Sequence, residues 1–157
     1  MPTLKEKREI ALKIAWHYLG TPYRWGGDDP MAGFDCSGFV LMILQSVGIM
    51  PLGLDMTADG LYEYFKKQNK LTSKPEAGCL AFWSSIGSGR MRHIEMMVNN
   101  ELSIGASGGG SKTMTLDDAI RQNAYIKIKP INFDDSDLYG FTNPFKGITP
   151  WNYSSSS

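Results

Sequence analysis

Between Phe39 and Val47 the chain runs Phe-Val-Leu-Met-Ile-Leu-Gln-Ser-Val, apolar on nearly every helical face. A helix without a polar side has no place on a surface, so the fold must cover this one from several directions. Gly48 follows as a C-cap. At the other end, Phe34-Asp35-Cys36-Ser37-Gly38 puts a cysteine at the helix mouth, behind a loop carrying Tyr23-Arg24-Trp25-Gly26-Gly27. Unpartnered N–H groups and the positive end of the helix dipole favour a thiolate in such a position. A buried helix is also a rigid mount for a reactive group. The pattern alone leaves two readings open: Cys36 as a nucleophile, or Cys36 as a small core hydrophobe.

The remaining composition removes several function classes. Sixteen basic residues balance sixteen acidic ones in 157 residues, so there is no electrostatic footprint of a nucleic-acid binder. Two cysteines, far apart, make neither a disulfide framework nor a structural zinc site, and no metal or cofactor is expected. The first nine residues are polar and mix acids with bases, and no apolar run reaches membrane-spanning length. Neither an export signal nor a membrane segment is therefore expected. The length suits one domain over 1–150, and the serine-rich 151–157 reads as a disordered tail.

Along the chain, helical periodicity from about Thr3 to Leu19 ends at Gly20-Thr21-Pro22. Tyr23 to Phe34 reads as an ordered loop, and a further helix runs from an N-cap at Thr57 to Gln68. From Gly78 the period becomes that of strands. Cys79–Trp83 is a short buried strand, and His93–Val98 and Leu102–Ala106 form a hairpin about Asn99-Asn100. Gly108-Gly109-Gly110 reads as a flexible connection, Thr115 caps a short helix to Gln122, and Tyr125–Lys129 alternates as a strand with one wet face. Beyond Pro130 the pattern fades into aromatic-dotted loop. Helices first and antiparallel strands after them predict an α+β fold.

These residues together resemble the NlpC/P60 cysteine peptidases, papain-like enzymes that cut peptidoglycan stem peptides. The likeness lies in Leu19-Gly20-Thr21-Pro22-Tyr23, Trp25-Gly26-Gly27 and Phe34-Asp35-Cys36-Ser37-Gly38-Phe39, and in His93 opening a hairpin. It implies a nucleophile helix packed on an antiparallel sheet, with Cys36 as nucleophile and His93 as the base. His17, among Lys13, Ala15 and Trp16 on the first helix, is expected to pack or face water. By the same resemblance Tyr23 assists the Cys36 N–H at an oxyanion site, and Asp35 and Ser37 hold the free amino end of a stem peptide. Trp25 joins them as a substrate-binding residue; Asp35 serves equally well as an N-cap. The partner that the resemblance implies is a peptidoglycan peptide or muropeptide, cut at the γ-D-glutamyl–diamino acid bond. Two rivals stay open: an amidase or acyltransferase of the same superfamily, and a non-catalytic wall-binding or phage assembly module. The location is expected to be cytoplasmic, or phage-associated with delivery to the cell wall. An ordinary imidazole base would set an acid limit near about pH 6 unless an ion pair with the thiolate shifts it.

The third catalytic position departs from the family. Where family members usually carry a polar residue, often histidine, on the second hairpin strand, this chain has Gly105. Where family hairpins commonly read His-Val-Gly, it has His93-Ile94-Glu95. Strand alternation puts Glu95 on the face of His93, and a three-residue turn over 99–101 would set it opposite Gly105. The reciprocal exchange predicts Glu95 as the residue that orients the base. Alternatives are a Cys–His dyad, or orientation by Ser103, Ser107 or a backbone carbonyl. Cys79, often aspartate in the family, is expected to be a core residue.

Overall fold

The structure is a computed structural model that describes residues 1–29, 33–85, 87–134 and 137–147. The expected tail at 151–157 lies outside the described residues. Among the described residues, four helices and a six-stranded antiparallel sheet form the α+β arrangement. Helix α1 (Leu4–His17) starts in a capping box, in which Thr3 and Glu6 satisfy each other's backbone N–H groups. After it, β1 (Asp28–Asp29) and β2 (Gly33–Phe34) make a small ribbon just ahead of α2 (Cys36–Ser46). Helix α3 (Ala58–Lys67) is capped by Thr57 and buries Leu61, Tyr62 and Phe65. The strands follow as β3 (Leu71–Thr72), β4 (Leu80–Ser84), β5 (Met91–Met97) and β6 (Leu102–Ser107). Helix α4 (Leu116–Gln122), β7 (Tyr125–Pro130), a 3-10 turn (Ile131–Asp134) and β8 (Leu138–Thr142) come next.

The sheet order is β3-β8-β4-β5-β6-β7. One face, carrying Leu80, Phe82, Ile94, Met96, Ile104, Ala106 and Ile126, packs with the helices into the main core. Phe39, Val40, Ile43 and Leu44 of α2 are fully buried there, which is the covering that its all-round apolarity required. The opposite face has a second cluster in which Cys79, Ala81, Trp83 and Met97 pack against Ile131, Leu138 and Phe141.

Two expectations change. The stretch beyond Pro130 is not loop throughout, because β8 lies inside the sheet between β3 and β4. Pairing on both sides supplies what Gly140, in the middle of that strand, withholds locally. The loop over 23–34 contains the β1–β2 ribbon, and residues 20–23 run along the edge of β7. There Gly20 donates to Ile126, Ile126 to Thr21, and Tyr23 to Ala124. The loop that carries Tyr23 is thus stitched to the sheet. No helix among the described residues is long and apolar enough to cross a membrane.

Candidate active site

The mouth of α2 is held by the carboxylate of Asp35. Its Oδ1 accepts the Gly38 N–H at 2.7 Å and its Oδ2 the Gly26 N–H at 2.9 Å, while the Asp35 N–H donates to Gly27 at 3.0 Å. A Cβ on Gly38 would overlap the Gly27 carbonyl oxygen, and one on Gly27 would overlap that of Gly33. The glycines of the two motifs are therefore there for close approach, and they lock loop to helix. Ser37 Oγ lies 3.5 Å from Asp35 Oδ1. Burial, followed by the nearby charge of Asp55, pushes the Asp35 carboxyl above its ordinary range against the pull of the bonds from Gly38, Gly26 and Ser37.

Cys36 opens onto a cleft of about 370 Å³. Its walls include Tyr23, Trp25, Asp28, Asp35 and Ser37, together with Asp55, Met56, Thr57, Met91 and Arg92. Trp25 is half exposed, at 50 %, on the cleft wall. Tyr23 is buried, its ring close enough to Gly109 that a side chain there would overlap it. The Gly108-Gly109-Gly110 stretch, expected as a flexible connection, thus backs the site, and the Gly110 N–H is tied to Thr113. Burial, then the charges of Cys36 and Asp35, push the Tyr23 phenol far above its usual range, so it stays a hydroxyl donor.

His93 reaches the cysteine from the far side of β5, helped by a β-bulge. Trp83 pairs with His93 but Ser84 pairs with Met91, so Arg92 is the extra residue on β5. Such a kink re-aims the strand end. Met91 consequently joins the main core, while the His93 ring stacks beside Trp83, at 5.3 Å between centroids. Cys36 lies close enough to the His93 ring to raise its pKa, through hydrogen bonding and through charge. His93 Nε2 lies 2.6 Å from Glu95 Oε2, which leaves Nδ1 for the sulfur.

Glu95 is fully buried, at 0 % exposure. The pairs Met96–Ile104 and Met97–Ser103 set the hairpin register, whose continuation puts Glu95 opposite Gly105. The turn is the short one expected: Val98 donates to Leu102, and Asn99 Oδ1 accepts from Glu101 and Leu102. An ideal Cβ on Gly105 would lie 2.5 Å from Glu95 Cγ. The glutamate occupies the space that the glycine leaves. Its other oxygen accepts from Ser103 Oγ at 2.9 Å, and Lys129 Nζ lies 3.3 Å from Oε2.

Burial disfavours a charged His93 ring, but its hydrogen bonds to Cys36 and Glu95 and their negative charges outweigh it, pushing its pKa up to about 9. Burial likewise opposes the Glu95 carboxylate. His93, Lys129 and Ser103 overcome that and hold it below the ordinary range. The plain pH 6 expectation therefore gives way to its stated exception, with the imidazole titration displaced upward by its partners.

The structure brings Cys36, His93, Glu95 and Tyr23 together, with Asp35, Ser37 and Trp25 on the cleft. His17 is exposed and touches Tyr18, and Cys79 is buried in the second cluster with its thiol pushed up by burial. Sequence reasoning missed Lys129, and it missed the cleft wall from Asp55 to Thr57, which only tertiary packing brings here.

Residues 20–129 match the sequence pattern of the NlpC/P60 family. Murein DD-endopeptidase MepH of Escherichia coli (strain K12) is 33% identical over 100 residues, which are 61% of this chain and 36% of that protein. The bifunctional muramidase/DL-endopeptidase CwlT of Bacillus subtilis (strain 168) is 33% identical over 103 residues, 65% of this chain and 30% of that one. The chain thus spans about a third of the length of these relatives. Among solved structures, the NlpC/p60 domain of the peptidoglycan hydrolase SagA has a TM-score of 0.59 at 23% identity, covering 87% of this chain and 97% of its own. An NlpC/P60 family protein from Bacillus cereus ATCC 10987 has a TM-score of 0.66 at 21% identity, covering 88% and 40%. At such identities the likeness shows the shared fold.

Proposed function

The chain belongs to the NlpC/P60 family, and from that premise we propose that it is a cysteine peptidase hydrolysing an amide bond of peptidoglycan stem peptides. The observation that carries this reading is Cys36 beside His93, whose ring is hydrogen-bonded to the buried Glu95, at an open cleft. In this mechanism His93 Nδ1 takes the Cys36 proton and the sulfur attacks the scissile carbonyl carbon. The oxygen gains negative charge at the N-terminus of α2, where the Cys36 N–H and the Tyr23 hydroxyl donate to it. The C–N bond then breaks as the imidazolium gives its proton to the departing amine, leaving a thioester on Cys36. Water, deprotonated by His93, hydrolyses the thioester and restores the thiol. Glu95 accepts from Nε2 throughout, fixing the tautomer and balancing the imidazolium charge.

The cleft chemistry supports a substrate with an amino group. Asp28, Asp35 and Asp55 line it together, and Trp25 offers an aromatic face. Of the relatives, one is named a DD-endopeptidase and another a DL-endopeptidase. Our reading favours the bond between γ-linked D-glutamate and a diamino acid, with the free amine of the stem held by Asp35 and Ser37. Incubation with defined muropeptides, read by mass spectrometry, tests it. The expected result is one new amine and one new carboxyl at that bond with wild type and none with Cys36→Ala. Cleavage that persists in Cys36→Ala would overturn the mechanism. Transfer to another acceptor, or cleavage of a non-peptide amide only, would make the protein an acyltransferase or amidase.

A further inference from the structure

We propose that Lys129 is a positioning residue of this array: its ammonium keeps the buried Glu95 carboxylate ionised and aimed at His93 through the whole reaction. The inference rests on the roles assigned to Cys36, His93 and Glu95 above.

The need arises from the cycle itself. While His93 is an imidazolium, Glu95 has a counter-charge 2.6 Å away. Once the ring has given its proton to the leaving amine, that counter-charge is gone. A fully buried carboxylate among neutral neighbours is driven to take up a proton. A protonated Glu95 would no longer fix the ring's tautomer when water must be activated. Lys129 supplies a charge that stays the same in both halves, 3.3 Å from the same oxygen that faces His93.

Its placement is built by the sheet and by packing. Lys129 pairs with Ser103 across β6–β7, and Ser103 in turn donates to the other Glu95 oxygen. The Phe133 ring lies 3.4 Å from the Lys129 ammonium, a cation–π contact that holds the amine over the carboxylate. Lys129 is 20 % exposed, so water screens it only in part. Among the described residues, the neighbouring strands and α2 add the following groups around Glu95. On β4, Ala81 and Trp83 pair with Glu95 and His93 and carry no charge. On β7, the Lys127 amine turns to the Asn123 carbonyl and the Tyr125 ring. From α2, Cys36 reaches the array through His93. The carboxyl is held low by Lys129 as well as by His93 and Ser103, in keeping with this role.

The test compares wild type, Lys129→Met and Lys129→Arg in two measurements. One is the Glu95 side-chain carboxyl titration by carbon NMR, which needs no turnover. The other is the pH profile of kcat/KM on a defined stem peptide. Lys129→Met should raise the carboxyl titration by roughly one to three pH units and carry the acid limb of the profile up with it. Lys129→Arg should leave both near wild type. A carboxyl titration unchanged in Lys129→Met overturns the proposal. So does a shifted titration with an unmoved acid limb, since the ion pair would then be structural only. Should Lys129→Met fail to fold, Lys129→Gln carries the same comparison. A wild type without Cys36-dependent cleavage would instead sink the reading of the function, while the carboxyl titration still decides whether Lys129 and Glu95 are coupled.

Discussion

Gly105→Ala adds one methyl group, and the structure says where it must go. The ideal Cβ would sit 2.5 Å from Glu95 Cγ, 3.0 Å from Cδ and 3.1 Å from Cβ. Ordinary contact begins near 3.4 Å, so the closest atom has to retreat by about 0.9 Å. Glu95 has no slack for this. Its side chain is fully buried, and His93, Ser103 and Lys129 hold its carboxylate. Overpacking of this kind typically destabilises by ~1–3 kcal/mol. If the carboxylate yields, His93 loses a charge-assisted bond worth ~1.5–3 kcal/mol, or roughly a ten- to hundred-fold fall in kcat/KM. The assay is a double-mutant cycle of unfolding free energy and kcat/KM over Gly105→Ala and Glu95→Gly. In the Glu95→Gly background the three closest side-chain atoms are gone, so the penalty of Gly105→Ala on both quantities should largely disappear. A Gly105→Ala protein with wild-type activity, or an equal penalty in both backgrounds, would refute the idea that the glycine exists to house the glutamate.

Asp35→Asn keeps one acceptor but turns an amide N–H toward the Gly26 or the Gly38 N–H, and should cost about 1–2 kcal/mol in unfolding experiments through the lost cap. If Asp35 also holds a substrate amine, KM rises more than kcat falls. His93→Ala should cut turnover at least ~10²-fold, whereas exposed His17→Ala should leave it near wild type; the reverse order in steady-state assays would misplace the base. His93 titrates higher in the folded protein than its ordinary 6.5, at about 9, so its stabilising contribution is complete below about 6.5. That contribution is lost as pH rises through about 9, and thermal melting across this range should show Tm falling in wild type but much less in His93→Ala.

Much of this architecture was legible because its signals are local. Thr3, Thr57 and Thr115 cap the helices in the structure through hydrogen bonds that their neighbours in sequence supply. The Asn99 turn and strict alternation were enough to set Glu95 against Gly105, so an apparent defect at the third position could be read as an exchange. What stayed hidden is non-local. Strand β8 has a glycine at its centre and owes its conformation to β3 and β4. The bulge at Arg92 answers to the pairing of β4 with β5, and no residue type announces it. Lys129 read as part of a wet strand face because a lysine in an alternating strand usually points to water. Here that face is closed by Phe133 and by a buried carboxylate. Proximity to the cleft of Asp55, on the loop before α3, is a product of packing alone.

The central claim is that His93, held by Glu95, makes Cys36 a nucleophile, and the rate of alkylation by iodoacetamide tests it without needing a substrate. Peptide mapping separates Cys36 from Cys79, which is buried and serves as an internal control. The account predicts rapid modification of Cys36 at neutral pH, slow modification of Cys79, and a large loss of the Cys36 rate in His93→Ala with a smaller loss in Glu95→Gln. Cys36 reacting no faster than an ordinary exposed thiol, and at the same rate in all three proteins, would contradict it.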